Sequence, residues 1–146
     1  HIILGQLDVG NAYMFVLYTG LGVVLGHNFP FYMQFKGGKG IAASGGMIVG
    51  LWDWRLVVIL LAAFIISVVV TRYVSVGSLT IMIGFFILYT IFAIHGDYNF
   101  TSNAKMIEGI VLAGVIAGMA VIRHLPNIKR LIAGTENKLS FGSKTA

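Results

Sequence analysis

"LVVILLAAFIISVVVT" at residues 56–71 and "VGSLTIMIGFFILYTIFAI" at residues 76–94 contain no charged side chain, and only "RYVS" at 72–75 separates them. Helices need about 17–25 apolar residues to cross a bilayer's hydrocarbon core. Two such runs with so short a polar break between them read as a pair of membrane helices. Working outward, apolar segments fall at about 11–33, 40–52, 55–71, 76–95 and 105–123. The 146 residues are 58% hydrophobic and 10% charged, with a mean hydropathy of +0.90. Soluble domains carry about a quarter charged residues. The expectation is an all-α integral membrane protein, a polytopic helix bundle with about five transmembrane segments, with residues 1–146 forming a single membrane domain. The second segment is short and holds Gly40, Gly45, Gly46 and Gly50, which predicts close packing against its neighbours. The opening "HIILGQLDVG" has no initiator Met, basic n-region or cleavage pattern, and it reads as starting partway through a longer protein.

Charge gives the bundle a sidedness. With the tail after Arg123 in the cytoplasm, Lys36, Lys39, Arg72, Arg123, Lys129, Arg130, Lys138 and Lys144 all lie inside, and only Arg55 and Lys105 lie outside. Asp8, Asp53 and Asp97 then face out, although acids weigh little in the positive-inside rule. Residues 34–40, 71–75 and 124–146 are therefore expected on the cytoplasmic face, with 52–55 and 96–104 on the opposite one. The net charge of +5 points to anionic lipid or substrate and away from nucleic acid.

Three polar stretches converge on that face. In "FKGGKG" (35–40), glycines permit tight, positive-φ backbone whose N–H groups can cradle an anion. Lys36 and Lys39 supply point charges suited to phosphate. It is not a Walker loop, because Met33 and Gly40 stand where that motif needs Gly and Ser or Thr. The ordinary reading is a topology anchor, which rarely needs three glycines. His27 and Pro30 close the first segment; a His at that depth serves structure or touches a ligand. In "RHLPNIKRLIAGTE" (123–136), the 100° helical step puts Arg123, Asn127 and Arg130 on one face and Ile128, Leu131 and Ile132 on another. Pro126 disfavours helix at Leu125, and Gly134 ends the run. By composition this is an interfacial helix, yet Asn127 and Glu136 are not anchors. Glu136 reads as an ion-pair partner or a catalytic carboxylate. In "TRYVS" (71–75) Arg72 and Tyr73 read as an interfacial pair, and Ser75 and Ser78 read first as caps of the next helix.

Several chemistries are excluded. There are no cysteines, so thiol catalysis, disulfides and Cys metal sites drop out. The histidines show no paired ligand spacing, and no metal site is expected. "YVSVG" lacks the first glycine of a serine elbow. No His precedes an Asp by five positions, the spacing of the acyl-CoA-dependent glycerolipid acyltransferases, since Tyr32 and Lys129 occupy those places after His27 and His124.

Taken in order, "GHNFPFYMQFKGGKGIA" (26–42), "TRYVS" (71–75) and "RHLPNIKRLIAGTE" (123–136) resemble the PlsY family of bacterial acyl-phosphate glycerol-3-phosphate acyltransferases. The resemblance implies a seven-helix bundle, of which this chain supplies the last five helices and the second and third motifs. The first motif, SGNxGATN, has no counterpart in this sequence. It implies transfer of an acyl chain from acyl phosphate to the 1-hydroxyl of sn-glycerol 3-phosphate, giving lysophosphatidic acid and phosphate, the first step of phospholipid synthesis. The setting is the bacterial cytoplasmic membrane, with the active face in the cytoplasm. Lys39, His124, Asn127 and Glu136 are the expected catalytic residues; Lys36, Gly37, Gly38, Gly40, His27, Ser75, Arg123 and Arg130 are the expected substrate-binding residues. Acyl phosphate, glycerol 3-phosphate and membrane lipids are the partners, with no cofactor and no implied oligomer. Acyl phosphate is already activated, so no acyl-enzyme is required. The base remains open among His124, Glu136 and a substrate phosphate. The competing class is a small transporter for phosphate-bearing solutes, which would share the basic mouth but should carry ionisable residues through mid-membrane. A pure scaffold would leave the glycine–lysine loop and Glu136 without a role.

Overall fold

A computed structural model of the chain describes residues 9–140. Asp8 and Lys144, which the charge pattern used, and the rest of the tail after residue 140 lie outside the described residues. The described chain is helical: α1 (Val9–Asn28), a single 3-10 turn (Phe31–Met33), α2 (Ile41–Gly50), α3 (Trp54–Thr71), α4 (Val74–Ile94), α5 (Asn103–Arg123) and α6 (Leu125–Ile132). Four stretches, beginning at Asn11, Trp54, Val74 and Asn103, are long and apolar enough to cross a membrane. The second predicted segment differs. It forms a helix of 10 residues, about 15 Å at 1.5 Å per residue, half of a ~30 Å hydrocarbon core.

Local chemistry sets the breaks. Pro30 has no N–H to continue α1, and the chain passes into the 3-10 turn, so the first helix stops short of the expected residue 33. Asp53 caps α3 by accepting the Arg55 N–H at 3.1 Å. Ser102 caps α5 through the Lys105 N–H at 3.3 Å. Arg72 ends α3 in the left-handed region (φ 63). The expected interruption near Pro126 falls at His124, and Pro126 then sits in the first turn of α6, where its missing N–H costs nothing.

The helices pack in sequence, α3 along α4 and α4 along α5, with α1 held between α2 and α5. Leu17, Leu56, Met82, Phe85 and Ile116 are fully buried between them. Ile65, Ile66, Val69, Val70 and Ile87 point outward and are exposed, as suits side chains whose solvent is lipid tails. Gly77 and Gly84 on α4 let α3 approach: a Cβ at Gly77 would lie 2.5 Å from Val68 Cγ2, and one at Gly84 would lie 3.0 Å from Leu60 Cδ2. Of the four glycines expected to pack closely, Gly40 does so against Asn28 and Gly50 against Val16, whereas the other two do not. A Cβ on Gly45 or Gly46 would meet nothing within 4 Å, and Gly46 faces an open apolar groove between α1 and α2. The close contact there comes from Gly20 of α1, against Met47.

The two ends of the bundle are unlike. At one end Asp53, Arg55 and Asp97 form ion pairs of 2.9 and 3.2 Å. At the other, the 34–40 loop, the α3–α4 turn and the segment after α5 meet. Arg123 Nη2 and Nε donate to the Gly37 and Gly38 carbonyls at 2.7 and 3.0 Å. The Leu139 N–H donates to the Arg72 carbonyl at 2.7 Å.

Candidate active site

Between these three segments lies a cavity of about 530 Å³. His27, Lys39, Gly40, Ser75, His124, Asn127 and Glu136 all line it. Residues far apart in sequence are thus brought to one place, as the three motifs required.

Lys39 stands at the entry to α2. Gly40, the residue before that helix, has φ 77, a conformation that favours glycine over any L side chain. No side chain caps α2, and its first intrahelical bond runs from Ser44 N–H to the Gly40 carbonyl at 2.8 Å. The N–H groups of the first turn are therefore left without helical partners. Ile41 and Ala42 line the cavity beside Lys39, so an ammonium and the positive end of a helix adjoin one space.

Glu136 anchors the opposite wall. Its Oε1 accepts from Asn127 Nδ2 at 2.6 Å and from Ser75 Oγ at 2.8 Å. Its Oε2 accepts from Arg130 Nε at 2.6 Å. The Asn127 bond and then the Ser75 bond hold its carboxyl at a pKa of about 2, with desolvation opposing them and Arg130 adding the rest. Through these bonds Glu136 ties the segment after α6 to α4 and α6. Asn127 is buried, and with its amide nitrogen committed to Glu136 its Oδ1 has no protein partner. That oxygen is an acceptor waiting for a donor.

His124 is 1% exposed. Its Nδ1 lies 2.7 Å from the Ala120 carbonyl; a carbonyl only accepts, so Nδ1 carries the proton and Nε2 keeps its lone pair. Burial pushes its pKa below the usual histidine value and Lys39 adds to this, opposed by the Ala120 bond and by Glu136. A neutral imidazole with a fixed tautomer results.

Other expected site residues take different places. Gly37 and Gly38 do not line the cavity and lack positive φ. Their small size lets the loop lie on the end of α1: a Cβ at Gly37 would fall 2.1 Å from the His27 carbonyl oxygen, and one at Gly38 would fall 2.2 Å from His27 Nε2. Arg123 grips that loop and leans over the Phe29 ring at 5.4 Å. Arg123 and Arg130, expected on one helical face, make separate contacts, Arg123 with the 34–40 loop and Arg130 with Glu136. Arg130 is occupied by Glu136, and Lys36 is exposed and outside the lining. Ser75 and Ser78 are not caps. Helix α4 begins at Val74, with Tyr73 before it, which puts both serines inside the helix, where Ser78 Oγ donates to the Val74 carbonyl at 3.0 Å. Asn137, Lys138 and Leu139 complete the wall. Nothing in their spacing announced them; the Glu136 bonds to Ser75, Asn127 and Arg130 and the backbone bond of Leu139 to Arg72 turn that stretch across the cavity.

A multi-pass membrane bundle with a cationic, hydrogen-bonding cavity at one end is the class that fold and site define. The sequence profile of the glycerol-3-phosphate acyltransferase family matches residues 2–134, and the chain belongs to that family. It is 32% identical to the glycerol-3-phosphate acyltransferase of Chlorobaculum parvum, over 97% of this chain and 66% of that protein. It is 38% identical to the one from Thermoanaerobacter sp. strain X514, over 99% of this chain and 65% of that protein. The chain thus spans slightly less than two thirds of the curated relatives it matches. Its fold resembles crystal structures of PlsY (YgiH), an integral membrane glycerol 3-phosphate acyltransferase, in a glycerol 3-phosphate form and a lysophosphatidic acid form. Each has a TM-score of 0.69 at 29% identity, covering 85% of this chain, with 56% and 57% of the respective PlsY chains covered.

Proposed function

We infer that the protein containing this chain acylates the 1-hydroxyl of glycerol 3-phosphate from acyl phosphate, giving lysophosphatidic acid and phosphate at the cytoplasmic face of a bacterial membrane. One observation carries the reading. In a chain of this family, Lys39 with the uncapped start of α2 and the His124–Asn127–Glu136 group face the same cavity. In the reaction the hydroxyl oxygen forms a bond to the acyl carbon, the acyl carbon–phosphate oxygen bond breaks, and the hydroxyl proton leaves with a base. Lys39 and the α2 N–H groups suit the phosphate of glycerol 3-phosphate. The unpartnered Asn127 Oδ1 suits a glycerol hydroxyl. With Glu136 ionised and fully hydrogen-bonded, the proton acceptor is His124 Nε2 or a substrate phosphate oxygen. The remaining work is neutralising charge and aligning the two reactants.

Purified protein in proteoliposomes should convert acyl phosphate and glycerol 3-phosphate into lysophosphatidic acid and phosphate. No lysophosphatidic acid, together with uptake of glycerol 3-phosphate into the same vesicles, would return the transporter reading.

A further inference from the structure

We propose that the segment after α6 carries a second phosphate subsite of this cavity, with Lys138 as its charge and acyl phosphate as its ligand. The proposal rests on the acyltransferase reading and extends it to residues beyond 134, where the family match stops. Direct transfer needs both substrates in the site at once, and each brings a phosphate. Lys39 and α2 form one cationic centre. Of the other cations at this end, Arg123 is engaged by the Gly37 and Gly38 carbonyls and Arg130 by Glu136, while Arg72, Lys36 and Lys129 do not line the cavity. Lys138 also lines the cavity, and among the described residues it makes no ion pair. Glu136, the neighbouring acid, has both oxygens taken by other donors. The ammonium instead lies 5.7 Å from the centroid of the Tyr73 ring, a contact that orients a cation without neutralising it.

The backbone holding Lys138 is fixed on both sides. Two residues earlier, Glu136 is tied to α4 and α6. One residue later, the Leu139 N–H is bonded to the Arg72 carbonyl. The lining beside Lys138 differs from that beside Lys39. Leu139 follows Lys138 in the chain and Val74 follows Tyr73, whose ring the second ammonium faces, whereas Gly40 follows Lys39 and His27 lies against Gly38 just before it. A phosphate that continues into an alkyl chain fits the former, and a small polyol phosphate fits the latter.

The test is steady-state kinetics on the intact protein in a zwitterionic detergent free of anionic lipid, varying each substrate at saturation of the other. Lys138→Gln is expected to raise KM for acyl phosphate by about tenfold, the usual cost of losing one charge-assisted contact, with KM for glycerol 3-phosphate within about twofold. Lys138→Arg should recover most of the loss. Tyr73→Leu should shift the same KM by a smaller factor. Equal rises in both constants, a rise for glycerol 3-phosphate alone, or no change would overturn the subsite. So would an effect that appears only in vesicles containing anionic lipid, which would make Lys138 a headgroup contact. A wild-type protein that forms no lysophosphatidic acid would instead sink the acyltransferase reading itself.

Discussion

At Glu136 two carboxylate oxygens accept from three side chains, and a carboxamide cannot reproduce that pattern. In Glu136→Gln one oxygen can still serve Asn127 and Ser75, but the new NH2 faces Arg130, donor against donor. The mismatch should lower kcat/KM by about tenfold or more while the bundle still inserts, as radiolabelled acyl transfer and detergent melting together would register. Because the Glu136 pKa is held near 2, below its ordinary value, its stabilising contribution is complete above about pH 4.5 and is lost only as pH falls toward 2. His124 titrates in a different window. Its folded-state pKa lies below the usual 6.5, so the unfolded chain takes up the proton first and stability should decline as pH drops below about 6.5. Melting temperatures in detergent from pH 8 to 5 should therefore fall in the wild type and flatten in His124→Gln; parallel curves would contradict the buried neutral imidazole. Lys39 separates phosphate binding from membrane anchoring. Lys39→Ala should cost about ten- to a hundredfold in kcat/KM, the worth of one charge-assisted contact, and Lys39→Arg should also be clearly impaired, because a planar fork does not replace a compact ammonium. Wild-type kinetics in a folded Lys39→Ala protein would return the loop to an anchor.

Among the elements, the membrane helices were legible because uncharged apolar runs of spanning length have few alternative meanings. The shortness of α2 was legible as well, the expected 40–52 overshooting Ile41–Gly50 by one residue and two; the error lay in counting so short a run as a full span. The serine assignments failed for a boundary reason: helix α4 starts two residues earlier than its apolar run begins. The "FKGGKG" glycines were read for phosphate, and all three lie close against α1, Gly37 and Gly38 at His27 and Gly40 at Asn28 and Val24. This gives an ordered expectation. Gly37→Ala should damage activity more than Gly38→Ala, because the added methyl meets a backbone oxygen at Gly37 and a rotatable imidazole at Gly38. Gly45→Ala meets open space and should leave activity intact or raise stability by up to about 1 kcal/mol, the helix-propensity difference between the two residues. Thermal melting and turnover of the three variants side by side would check the order, and an equal loss at Gly37 and Gly45 would contradict it.

For the whole molecule, the convergence of three polar segments at one end was legible from the spacing of the charges, and the contacts of Arg123 and Leu139 bear it out. The proposed orientation places that end in the cytoplasm. Cysteines introduced at Gln34 and Asn137 should resist an impermeant thiol reagent in intact cells, and one at Asn99 should react; the reverse labelling would invert the molecule. The wall formed by residues 135–139 has a consequence for biosynthesis. Every membrane-spanning helix among the described residues is complete by Arg123, so the stretch that completes the cavity wall is not needed to build the membrane-spanning part. That wall of the cavity forms only when residues 135–139 reach back to Arg72 and Ser75. A message truncated shortly after α6 would thus yield a protein that passes every test of membrane insertion and still lacks one side of its site.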